Sequence, residues 1–120
     1  MASIETRSMD QPDEMRTPDK TKVSVVHLGG ASVARLTVQP GWSWAECIKP
    51  VAGTDSCQAA HLGYVVSGTL HITADDGAEA DITAGDSYRL EPGHNARVVG
   101  NEPFEALEFE SKTADTYAKA

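Results

Sequence analysis

The sequence predicts an all-β domain, a sandwich or barrel, and three observations carry that expectation. From Lys22 onward, short segments rich in β-branched residues are separated by turn residues every eight to twelve positions. Gly29-Gly30, Pro40-Gly41, Asp76-Gly77 and Pro92-Gly93 supply the turn chemistry, because Gly accepts positive φ and Pro presets φ at a corner. At 120 residues and 12.8 kDa the chain has room for one domain and one core.

Taken in order, the expected strands are 22–28, 32–38, 42–48, 62–67, 69–74, 80–83, 87–90, 96–99 and 104–110. Asp76-Gly77 is the clearest hairpin signal. Period two divides each strand into faces: His61, Gly63 and Val65 share one side, and Leu62, Tyr64 and Val66 the other. Both sides of 62–67 are apolar, which predicts a central strand lying between the interior and a second packed layer. Residues 1–20 are charged, hold two prolines and lack apolar periodicity, so they are expected to be a flexible arm, or to pack across a partner subunit. The barrel is assigned to 21–111 and a C-terminal tail to 112–120; residues 111–120 have the pattern for one or two helical turns after a Ser or Thr cap.

A formal charge of -8 and a pI near 4.8 make nucleic acid and acidic membrane poor partners. No apolar run approaches the roughly 20 residues of a spanning helix, and the polar start lacks the apolar stretch of a secretory signal, so cytoplasm is the expected location. Cys47 and Cys57 are the two cysteines; in a reducing compartment they read as ligands, reactive groups or core fillers before they read as a disulfide.

Two stretches resemble the paired motifs of the cupin superfamily. His61-Leu-Gly-Tyr-Val-Val-Ser-Gly68 is similar to the end of the first motif, and Gly85-Asp-Ser-Tyr-Arg-Leu-Glu-Pro-Gly-His94 to the start of the second. With the strand spacing, the resemblance extends over 22–110. It implies a double-stranded β-helix, or jelly-roll barrel, with a mononuclear metal site inside.

The superfamily's His-x-His pair is missing, so the ligand positions are reached by counting from glycines. Six residues after Gly41 stands Cys47, at the first family histidine, with Lys49 at the second; seven before Gly68 stands His61, at the family glutamate, and four earlier Cys57. The two counts differ by an apparent insertion, 49–55. In the second motif Ala96 stands at the family histidine, and His94, two residues earlier, shares its strand face. Trp42-Ser-Trp44, Gly53-Thr-Asp-Ser-Cys57-Gln58, His61-Leu-Gly-Tyr-Val65 and Glu91-Pro-Gly-His94 resemble a variant branch of small single-domain cupins. The resemblance thus implies Cys47, Cys57, His61 and His94 as ligands of a divalent metal. Two imidazoles and two thiolates favour tetrahedral zinc over iron or manganese.

Each residue also has a plainer role. A strand cysteine is often a small buried hydrophobe, His61 could be a hydrogen-bonded core histidine, and His94 an exposed residue after a turn. His27 and His71 are read as structural. Asp55 is a turn cap, or a pocket residue that supports or joins the ligands. Trp42 and Trp44 bracket Glu46 on one expected strand face; packing is favoured over a pocket lid. Tyr88 is the candidate pocket acid or hydrogen-bond donor.

Two functions follow. In the first, three protein ligands leave a fourth position for water or a small-molecule substrate, and the metal serves as a Lewis acid. In the second, all four ligands close on zinc, and the barrel is a non-catalytic ligand-binding or regulatory module. A homodimer paired through an edge strand is the expected assembly.

Overall fold

The computed structural model describes residues 3–110; the helical turns expected over 111–120 and the tail over 112–120 lie outside them. In chain order the elements are β1 (Glu14–Arg16), β2 (Thr21–Leu28), β3 (Ala31–Val38), α1 (Trp44–Cys47), α2 (Lys49–Ala52), β4 (His61–Ser67), β5 (Thr69–Ala74), β6 (Glu79–Thr83), β7 (Ser87–Leu90), β8 (His94–Val98) and β9 (Phe104–Phe109). Two antiparallel sheets face each other in the double-stranded β-helix manner, one ordered β1-β2-β3-β9-β4-β7 and the other β6-β5-β8.

Alternation explains the core between them. Val23 and Val25 of β2, Leu36 and Val38 of β3, and Phe104 and Ala106 of β9 all point inward and are buried. Leu70 and Ile72 of β5 close the core from the smaller sheet. β4 is central, paired with both β7 and β9, and its inward row is His61, Gly63 and Val65. Its outward row departs from expectation: Leu62, Tyr64 and Val66 stay 43–54 % exposed, so among the described residues no second layer covers them.

Residues 14–16, assigned to a flexible arm, instead form β1 along β2, with Glu14 opposite Val25 and Arg16 opposite Val23. The residues before β1 are tied to the same sheet: Asp10 pairs with Arg35 at 3.2 Å, and Glu5 accepts the Gly29 N–H at 3.0 Å. Ser24, opposite Arg35, and Val26 are buried on that outer face. Polar anchoring to the chain's own sheet, which hydropathy does not reveal, takes the place of apolar periodicity here.

The expected strand 42–48 is helical, and its capping chemistry explains why. The Ser43 hydroxyl accepts the Glu46 N–H at 3.2 Å, and Ser-x-x-Glu is a capping-box sequence. Pro50 sits in the first turn of α2, and Gly53 closes it at φ 78°, a left-handed conformation that suits Gly. Trp44, Cys47 and Ile48 are therefore buried at the i, i+3, i+4 spacing of a helix face rather than by strand alternation.

Candidate metal centre

The site lies where the chain crosses between the sheets. β7 ends at Leu90, paired with His61 in the larger sheet; the turn Glu91-Pro92-Gly93 follows, and His94 opens β8 in the smaller one. The loop before β4 is fastened to that crossing. The Cys57 N–H donates to the His94 carbonyl at 2.8 Å, and the Cys57 carbonyl accepts from Gly93 at 2.7 Å and His94 at 3.3 Å. Backbone pairing thus fixes Cys57 beside His94, and β4 brings in His61.

Ligand-type atoms of Cys57, His61 and His94 all lie within 4.8 Å of one another, and the three residues are buried. Cys57 Sγ is 3.5 Å from His61 Nε2. Metal–ligand bonds of about 2.0–2.1 Å to nitrogen and about 2.3 Å to sulfur, meeting at a tetrahedral angle, place the two donors about 3.5 Å apart. The imidazoles meet edge to face, ring centres 5.0 Å apart. Each is oriented from behind. His61 Nδ1 lies 3.0 Å from Glu108 Oε1, and His94 Nδ1 lies 2.8 Å from the Glu91 carbonyl. A carbonyl only accepts, so His94 Nδ1 carries the proton and its Nε2 keeps a lone pair. A carboxylate or carbonyl behind a ligating imidazole is the usual outer arrangement of histidine metal sites. The three side chains fit a divalent ion.

Glu108 is the member that reading the sequence missed. It is 2 % exposed and accepts from both His61 and the Tyr88 hydroxyl, the latter at 2.6 Å. Its signal was strand phase: in Phe104–Phe109 it stands in register with the inward Phe104 and Ala106, and a carboxylate at an inward position needs partners. Gly63 makes the arrangement possible. It is opposite Tyr88 on β7 and Glu108 on β9, and a Cβ there would come within 2.6 Å of both the Tyr88 hydroxyl and the Leu107 carbonyl. The tyrosine reaches the glutamate across a bare stretch of β4. Gly63→Ala should cost about 1–3 kcal/mol of stability through overpacking; an unchanged denaturation midpoint would show that Tyr88 can lie elsewhere.

Charge at the site follows from these contacts. Burial pushes the Cys57 thiol up, but hydrogen bonds from His61 and His94 outweigh it and bring the thiol down from 9.0 to about 6. For His61 burial favours the neutral ring, yet the Glu108 charge and the bonds to Cys57 and Glu108 prevail, raising it from 6.5 to about 10. Without metal, the resting pair near neutrality is thiolate and imidazolium.

Of the residues expected here, the structure brings together Cys57, His61 and His94, with Tyr88 one step behind. Cys47 is the correction. It is buried on α1, outside the donor cluster, and its thiol faces Asp19 Oδ2 at 3.8 Å. Counting forward from Gly41 assumed a strand and met a helix, which turns Cys47 into the core. Asp55 is fully exposed and pairs with Lys49 at 3.3 Å, so it does not line the site. Trp44 is buried packing, and Trp42 donates its indole N–H to Thr21 at 2.9 Å. His27 and His71 hold surface carboxylates, as structural histidines do.

The match to the family model described as Cupin domain spans residues 51–110. The chain belongs to the cupin family. No curated protein matches the sequence. Among solved structures this cupin resembles one of unknown function from Rhizobium leguminosarum (TM-score 0.63, 14 % identity, 90 % of this chain and 96 % of that one). It also resembles an oxalate decarboxylase formate complex from Lactobacillus farciminis (0.62, 17 %, 91 % of this chain and 33 % of that one). A third is the Schizosaccharomyces pombe Cnp3 cupin domain (0.58, 11 %, 80 % and 66 %). This cupin therefore spans about a third of the decarboxylase and just under two thirds of the Cnp3 domain. At such identities the likeness is one of fold. Among the described residues no helix is long and apolar enough to cross a membrane.

Proposed function

We propose that this cupin holds one divalent ion, zinc before iron or manganese, on Cys57, His61 and His94, with a further coordination position for a small molecule. The observation that carries the reading is the set of three buried donors within 4.8 Å, backed by a carboxylate and a carbonyl. One thiolate and two imidazoles are borderline-soft donors, which favours zinc; the harder sites of iron and manganese draw on carboxylates. The placement of Cys47 outside the cluster supports an open three-ligand site over a closed four-ligand one. When bound, the ion would supply Lewis acidity toward a carbonyl or hydroxyl of the ligand. The chain's own part is to keep His61 and His94 oriented through Nδ1, to hold Cys57 as a thiolate, and to exclude water by burial. Glu108 accepts a hydrogen bond from His61 Nδ1–H and, with Tyr88, keeps that ring in place. Oxalate, named for one structural neighbour, is not proposed as a substrate: the nearby cavity wall is acidic.

Metal titration against pH tests this reading. Binding requires Cys57 without its proton and His61 Nε2 without its proton. Cys57 is already deprotonated above about pH 6, whereas His61 keeps its proton up to about pH 10. Between those limits zinc should displace about one proton, so affinity should rise about tenfold per pH unit, and more steeply below about pH 6. Equilibrium competition against a chelator of known affinity reads the slope; a pH-independent affinity, or no stoichiometric zinc, sinks the proposal.

The order Cys57, His61, Glu108 also matches nucleophile, base and orienting carboxylate, at 3.5 and 3.0 Å. The third donor, His94, favours the metal reading, because a thiol triad is complete with Cys57, His61 and Glu108.

A further inference from the structure

Beside His94 the sheets part. The larger one ends at β7 and the smaller at β6, and a cavity of about 560 Å³ opens between them. Ile72, Ile82, Leu90 and the ring of Tyr88 line it, and His94 borders it. This volume lies within the roughly 300–1,000 Å³ of small-molecule sites. Its polar side carries four carboxylates, Asp75, Asp76, Glu79 and Glu91, against one guanidinium, Arg89. Arg89 is already paired with Glu91, and Glu79 with His71 at 2.9 Å. Asp75 accepts from the Ser56 hydroxyl at 2.8 Å and Asp76 from the Ala78 N–H at 2.9 Å, so both are held in place by neutral donors. Neither has a cationic partner among the described residues.

We infer that this cavity selects small molecules with an apolar body and a cationic or neutral polar end, and rejects anions. The apolar lining gains by covering a hydrocarbon or aromatic surface. A carboxylate entering the same space meets two uncompensated negative charges and, among the described residues, no unpaired lysine or arginine, inside a chain of formal charge -8. An ammonium group meets the opposite field, and a hydroxyl is indifferent to it. The inference rests on the proposed metal site only for which end of the molecule faces His94; the charge preference stands on the cavity wall itself.

The test uses three probes of matched shape: 2-phenylethylamine, 2-phenylethanol and 3-phenylpropionate. Each is titrated by amide chemical-shift mapping at low salt into zinc-loaded and into chelator-treated protein. The amine and the alcohol should shift amides of 72–82 and 88–94 in both forms; in the chelator-treated form, where no ion can ligate a carboxylate, 3-phenylpropionate should be weaker than the amine by at least about tenfold. Asp76→Asn keeps the acceptor for Ala78 and should narrow that gap several-fold; Asp76→Lys should narrow it further. Equal binding of amine and carboxylate in the chelator-treated form, shifts mapping elsewhere, or a gap unmoved by Asp76→Lys would overturn the inference. The expected ranking in protein that takes up no zinc would uphold the cavity while removing the metal reading. Binding seen only in the zinc-loaded form would mean that the metal, not the cavity, holds the probes, and would overturn it.

Discussion

Cys57→Ser should reduce zinc affinity by at least about 100-fold while leaving the barrel folded. Serine keeps the backbone bonds that tie residue 57 to Gly93 and His94, so the loop stays in place. What disappears is the thiolate. A serine hydroxyl is far less acidic and a weaker zinc donor, and its loss should exceed the roughly 10–100-fold cost of removing an outer partner alone. Cys47→Ser is the matched control and should leave zinc stoichiometry unchanged, because Cys47 faces Asp19 on another part of the core. Elemental analysis after dialysis against a weak chelator, with a denaturation curve for each variant, reads both. Zinc lost from Cys47→Ser and kept in Cys57→Ser would invert the ligand assignment.

Glu108 carries the second large effect. Glu108→Ala takes a carboxylate from a buried position where His61 and Tyr88 both bond to it. Breaking a buried charged pair costs about 3–5 kcal/mol, which should lower the denaturation midpoint of metal-free protein by roughly 10 °C or more. Glu108→Gln preserves the shape and removes the charge. The Glu108 charge is what overcomes burial and holds the His61 proton to about pH 10; without it, burial favours the neutral ring and the value falls. In metal-free Glu108→Gln the His61 ring should therefore lose its proton well before about pH 10, read from its imidazole NMR signals against pH. A His61 titration unchanged in Glu108→Gln would remove Glu108 from control of that ring.

Eight of the nine expected strands are present because their determinants are local: β-branched alternation bounded by Gly and Pro turns. The ninth, 42–48, is absent because Trp42, Trp44 and Glu46 fit period two while the Ser43 cap and the Gly53 stop decide the segment as helix. Cys47 fell with that segment. Cys57, His61 and His94 were legible from the positions of Gly68 and Gly93. Glu108 was not, since no motif points to it; its role depends on β9 lying beside β4, a pairing of distant segments. The β1 segment was hidden for a similar reason, its anchors being polar contacts to a sheet formed later in the chain.

The crossing from Leu90 to His94 would give metal occupancy a mechanical meaning. His61 belongs to the larger sheet, whereas His94 belongs to the smaller and Cys57 is bridged to it, so an ion on all three would be a rivet through both layers. Motions that pry the layers apart along β6 and β7 would have to break a ligand bond first. Loss of the ion should therefore loosen the seam beside the cavity before it loosens β2, β3 and β9, and the bare protein would breathe at its own doorway.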